Sequence, residues 1–293
     1  MARTTQPAPA RGRGQTERPG GKPPGRESTA VEKRKTTALA QPLDFSRDAG
    51  AGFEEADADS FAIPYLTVLQ KNSPQCDDAS GSYVKGAKPG MFFNTVTGEL
   101  YDGPVRVVPV HYERRFVQWA PRDEGGGFRG SHMASDQIVQ RAERDDSTGR
   151  LMLENGDYLS DTRYHFCLLV KKDGSTTPVI LSLASTQIRK SRNWMTTMQG
   201  IKLRRPDGSP FTPPSFSHFY AVTTVPEQNE KGSWKGLRVD LEGPLGDDDR
   251  DVYLDARQFR EQVRGGKARV SDPGVPDAAE SASSDDGDDD PEM

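Results

Sequence analysis

VRVVPVHYERRFVQW, residues 105–119, is the longest run of β-branched and aromatic residues in the chain, and its composition is that of a strand. Pro109 sits inside it without an N–H to give to a ladder, so the run is expected to break or bulge there, at an edge or a barrel corner. Working outward, residues 163–171, 178–185, 216–225 and 234–242 share the composition, and residues 65–70 and 91–94 are shorter candidates. Gly, Pro, Asp and Asn separate these runs, and Thr97-Gly98, Asn155-Gly156 and Asp173-Gly174 supply hairpin turns. Strands in this number predict a sheet closed on itself.

Two helices are expected. Residues 186–203 follow a Ser-Thr start suited to capping, with Ile188, Met195, Met198 and Lys202 near one stripe and Arg189, Lys190 and Arg192 outside it. Residues 252–264 are cleaner: Val252, Ala256, Phe259 and Val263 recur at i, i+4, i+7 and i+11, and Gly265-Gly266 then stops the helix, which reads as structural. This element order is that of a mainly β fold, a small elaborated β-barrel with one or two helices.

The two ends carry opposite charge. Residues 1–40 hold nine Lys and Arg against three Glu among Pro, Gly, Ser and Thr, whereas residues 271–293 hold nine carboxylates and no base. Neither end has an apolar pattern to bury, so residues 1–45 are expected to be a disordered basic arm and residues 269–293 a disordered acidic tail around one domain at 46–268. The tail, densest at Asp285, Asp286, Asp288, Asp289, Asp290 and Glu292, is a tethered polyanion able to imitate phosphates and compete for a cationic groove. The formal net charge of −5 hides this polarity. Cys76 and Cys167 are the only cysteines, and with no signal-peptide pattern and no apolar run of transmembrane length the chain reads as soluble and intracellular.

Catalytic signatures are missing. The four histidines are scattered, with only His165 and Cys167 close on one strand, so neither a metal nor another cofactor is expected. There is no phosphate-binding loop, nucleophile elbow or dinucleotide fingerprint, and the glycine-rich 125–130 reads as a flexible loop. A nuclease would need clustered carboxylates; Asp157, Asp161 and Asp240 have no spacing that singles them out, and no enzyme is expected.

Basic residues interleaved with aromatics are what the middle of the chain does offer. On residues 111–119 the strand period sends Tyr112, Arg114 and Phe116 one way and Arg115 and Trp119 the other. Single-stranded nucleic acid takes this mixture, rings for bases and cations for phosphates. Core aromatics beneath a charged outer face would read the same, and this strand alone does not separate the two. Arg189, Lys190 and Arg192, with Trp194, gather near a helix N-terminus, where the macrodipole disfavours cations; phosphate at that site, or carboxylates of the core, would offset the cost. Phe128 and Arg129, Trp234 with Lys231 and Lys235, and Lys71, Lys85 and Lys88 are weaker additions.

FAIPYLTVLQKNSP at 61–74, GAKPGMFFNTVTGELYDG at 86–103, VPVHYERRFVQW at 108–119 and STQIRKSRNW at 185–194 together resemble proteins of tailed bacteriophages regarded as single-stranded DNA-binding proteins. The resemblance spans about residues 61–243 and implies an OB-like barrel that coats single strands in the cytoplasm of the infected host during phage replication and recombination. It further implies an acidic C-terminus that recruits replication proteins. Such tails often end in an aromatic residue, whereas this one ends Asp290-Pro291-Glu292-Met293. A virion or assembly protein without enzymatic activity is the alternative, since a β-rich body with oppositely charged ends would serve assembly as well.

Overall fold

The computed structural model describes residues 45–49, 51–56, 60–121, 126–230, 232–266 and 269–270. The chain divides into two units, residues 1–51 and 52–293. In the first, the described part is a single 3-10 turn, Phe45–Asp48. Of the expected disordered arm and tail, residues 1–44 and 271–293 lie outside the described residues; Phe45 belongs to this turn, and Arg269–Val270, the first two residues of the expected tail, form a short strand.

The second unit is mainly β, built on a curled antiparallel sheet of eight strands that forms a half-barrel. Its long strands are β1 (Val105–Trp119), β2 (Phe128–Met133), β3 (Tyr158–Val170), β4 (Thr176–Ala184), β5 (His218–Asn229) and β6 (Gly232–Pro244), with Glu143–Arg144 and Leu151–Met152 completing it. β3 lies beside β1 along its whole length, β4 pairs with most of β3, and β6 pairs with β5. The turns read from sequence are in place, with Gly156 at φ 86° and Gly174 at φ 84°, a conformation that glycine adopts without a Cβ clash.

Closure of the sheet, expected from the strand count, is not seen: among the described residues no pairing joins β6 back to β4. The physical reason lies in the faces. Both are apolar, and each is covered by a helix, so neither needs a closed barrel to leave water. On one face Val108, Val117, Trp119, Tyr164, Phe166 and Phe219 meet Val252, Ala256, Phe259 and Val263 of helix α2 (Arg250–Arg264). On the other, Val107, Cys167, Leu181, Tyr220 and Val222 meet Trp194 and Met198 of helix α1 (Ile188–Gly200), together with Leu66, Val68 and Phe92 from a three-stranded sheet of Leu66–Val68, Phe92–Asn94 and Leu100–Tyr101.

Pro109 does make a bulge, at a stretch of β1 that has a partner strand on one flank only. Against β3 the register slips between Pro109 and His111. The slip exchanges faces: even-numbered Val108 before it and odd-numbered Val117 and Trp119 after it reach the same core, as does Val110 in the bulge itself. On the other flank of β1, β5 pairs only with residues 105–107 and β2 only with residues 115–119. Residues 108–114 therefore have no strand beside them there, and a residue without an N–H costs nothing in that gap.

α2 buries the four residues its period predicts and ends at Gly265-Gly266. α1 departs from expectation at its start: a 3-10 turn, Ser185–Gln187, leads into it, and its N-cap is Gln187, which makes no side-chain cap hydrogen bond. Its buried stripe is Ser191, Trp194 and Met198, while Ile188 and Met195 are only half-buried. Finally, Ala62–Ile63 at the front of the unit pairs in parallel with Arg269–Val270 at its end.

Candidate nucleic-acid interface

A cavity of about 340 Å³ opens where β1 has no neighbour. Its wall combines His111 and Tyr112 of the bulged strand, Met195 and Gln199 of α1, Pro213 from the segment before β5, and Arg260 of α2. Tyr112 is held from behind: its hydroxyl accepts a hydrogen bond from Arg163 Nη1 at 3.3 Å, and its ring stands edge-on to His165 at 5.2 Å. His165 in turn stacks on the Trp194 indole at 4.5 Å and shares a 2.7 Å hydrogen bond with Ser191 Oγ. Burial, with the nearby Arg163 charge, lowers the His165 imidazole to about 3, so it is neutral at pH 7. The groove thus has one rigid ring wall, an apolar methionine and proline lining, and an arginine in its wall. That is the chemistry of a site for a flat, partly polar ring joined to an anion.

The other residues proposed from sequence are dispersed. Arg114 forks onto Asp161 at 3.0 and 2.7 Å, and Arg163 shares the same carboxylate at 2.9 Å. Arg115 donates twice to Glu113, at 2.8 and 2.6 Å. Both strand arginines are therefore already matched by carboxylates. Three of the rings read as base-stacking are in the core instead: Phe116 and Trp119 are 5% exposed and Trp194 is 3% exposed. The Arg114 guanidinium lies over the Phe116 ring, and Trp119 meets Phe128 edge-to-face at 5.9 Å. Phe128, half-buried, and Arg129, exposed, are on β2 and so are not part of a glycine loop; the strand pairs with residues 115–119 and fixes them.

Of the α1 cations, Lys190 is ion-paired with Glu227, a residue that sequence reasoning missed. The same carboxylate accepts hydrogen bonds from Gln187 Nε2 at 2.9 Å and Trp234 Nε1 at 2.8 Å. A Cβ at position 236 would collide with it, so Gly236 is what lets Glu227 lie flat on β6. For Lys190 and Trp234, then, a core carboxylate stands where phosphate was expected. Lys235 is fixed through its backbone, which exchanges two hydrogen bonds with the Gln70 amide at 2.8 and 2.9 Å. Arg189 and Arg192 are exposed and have no carboxylate partner among the described residues. Arg192 precedes Thr196, which lines the groove, by one helical turn on the same face. Lys231 and the tail residues Asp285, Asp286, Asp288, Asp289, Asp290 and Glu292 lie outside the described residues.

No group of three or more His, Cys, Asp or Glu able to hold a metal ion occurs among the described residues. Asp157 is engaged by Gln118 and Asn155, Asp161 by two arginines, and Asp240 by Arg238. Both cysteines are free thiols. Among the described residues, no helix is long and apolar enough to cross a membrane.

No curated protein and no solved structure matches this chain. A family model described as Pam3 phage gp34-like protein matches residues 33–269. The match takes in the sheet, both helices and every wall of the groove, and it stops before the acidic tail. The chain belongs to the Pam3 phage gp34-like protein family.

Proposed function

We propose that this phage protein binds single-stranded DNA without catalysing a reaction on it, and that its half-barrel is an OB-like sheet opened at the β1 bulge. The observation that carries the reading is the groove: a ring-walled cavity of about 340 Å³, with room for a nucleobase, in a gap of the sheet, with Arg260 in its wall and the unmatched Arg192 one turn from Thr196 on α1. Bases enter an unstacked site of this kind only from a single strand, because a duplex keeps them paired. Sequence preference is slight, since stacking on a ring tolerates every base. Binding takes place in the host cytoplasm during replication and recombination. The acidic tail competes with DNA for the same cations and contacts replication proteins once displaced.

Anisotropy of a labelled oligothymidylate, titrated with protein at several salt concentrations, tests this. Binding is expected to weaken with log salt at a slope of about −0.7 per phosphate contacted. Tyr112→Leu and Arg192→Gln should each weaken it several-fold without changing the melting temperature by more than a few degrees. Protein that ignores the oligonucleotide at every ionic strength would remove the reading and leave an assembly role as its replacement.

A further inference from the structure

α2 carries a second stripe beside its buried one. Arg250, Tyr253, Arg257, Arg260 and Arg264 recur at i, i+3, i+7, i+10 and i+14, which places all five within an arc of about 80° along about 21 Å of helix. Arg250, Arg257 and Arg264 are exposed and Arg260 is half-buried, and none has a carboxylate partner among the described residues. The helix is not short of acids that might have matched them. Asp251 and Asp255 point elsewhere, Asp255 accepting from Thr176 Oγ1 at 2.6 Å, and Glu261 at the border of the stripe makes no ion pair among the described residues. Arg250 adjoins Asp247–Asp249, which weakens its pull on an anion. The effective part is therefore Arg257, Arg260 and Arg264.

Three unmatched guanidiniums in a row repel one another, a cost that an anionic ligand removes. All are Arg and none is Lys, the side chain whose planar fork pairs two phosphate oxygens at once. The stripe also leads somewhere, because Arg260 is both its member and a wall of the groove. Tyr253, 38% exposed, leans on Phe216 at 5.5 Å and keeps one ring face near the same line.

We propose that α2 is the phosphate rail of the groove: the backbone of a single strand runs along Arg257, Arg260 and Arg264 while one of its bases turns into the cavity against Tyr112 and Met195. Tyr253 stacks on a neighbouring base. The proposal rests on the single-strand reading above and assigns the direction in which the strand leaves the groove, along the helix axis.

The test is the salt dependence of oligothymidylate binding by Arg257→Gln/Arg264→Gln, with Arg257→Lys/Arg264→Lys as its partner. Removing two phosphate contacts should flatten the log–log slope by about 1.4. The lysine variant should keep the wild-type slope and bind more weakly, having the charge without the fork. Gln, Lys and Arg are similar helix formers, so melting temperatures should stay near wild type. A slope unchanged in the glutamine variant, while wild-type protein binds, overturns the rail and leaves the proposed function standing; wild-type protein that does not bind overturns both. Polyglutamate that binds wild-type protein as well as the oligonucleotide does would also overturn it, in favour of an acidic protein segment.

Discussion

Glu227→Gln is expected to move stability and affinity in opposite directions. The carboxylate is 21% exposed and gathers the Lys190 ammonium, the Gln187 amide and the Trp234 indole N–H on two oxygens. Glutamine keeps the shape and one acceptor but loses the charge and turns an amide N–H₂ toward groups that also donate. Hydrogen bonds to a charged group are worth roughly 1.5–3 kcal/mol when buried, and partial exposure lowers the net loss here to about 1–2 kcal/mol. In a domain of this size that is a fall of about 2–8 °C in melting temperature. Meanwhile the Lys190 charge is released beside Arg189, and if it meets a phosphate the salt slope steepens by about 0.7. Thermal melts followed by circular dichroism and oligothymidylate anisotropy read the two effects on the same preparation. A variant that melts with wild type would refute the reasoning, because it would mean that the three donors do not depend on the carboxylate.

His165 makes the fold sensitive to acid. Its pKa is lowered from 6.5 to about 3 by burial and by Arg163, so between those values the unfolded chain binds the extra proton and stability rises with pH; the neutral imidazole's contribution is complete above about 6.5 and lost as pH falls toward 3. Urea titrations at pH 7 and pH 4 should show a smaller pH-dependent loss for His165→Gln than for wild type. Truncation after Val270 removes all nine tail carboxylates; oligothymidylate binding should tighten below about 50 mM salt and converge with full-length protein as screening shortens the reach of charge. Unchanged low-salt affinity would end the idea of self-competition.

The strands were legible because β-branched and aromatic runs bounded by turn residues admit few other conformations, and α2's buried stripe because four apolar residues at helical spacing leave little choice. Closure was not legible. The same strand count serves a barrel or an open sheet with a helix on each face, and which occurs depends on where α1 and α2 dock. The burial of Trp119 and Trp194 was not legible for a related reason: rings near charges occur over a core as well as on an exposed face, and Trp194 belongs to the Ser191 and Met198 stripe, whose small serine hides the pattern. Glu227 gave no signal, since its partners are 7, 37 and 40 residues away. The arginine stripe of α2 is present as spacing in the sequence, but the apolar period beside it is enough by itself to account for the helix.

The parallel pairing of Ala62–Ile63 with Arg269–Val270 bears on how the protein is made. A ribosome delivers the first partner some two hundred residues before the second, and α2, which roofs one face of the sheet, also arrives late. Nascent chains stalled ahead of that point carry an uncovered apolar face, so assembly of the unit waits until Val270 has been made, and such long-separated contacts favour slow folding. Until α2 is made, that face is the surface through which nascent chains would aggregate.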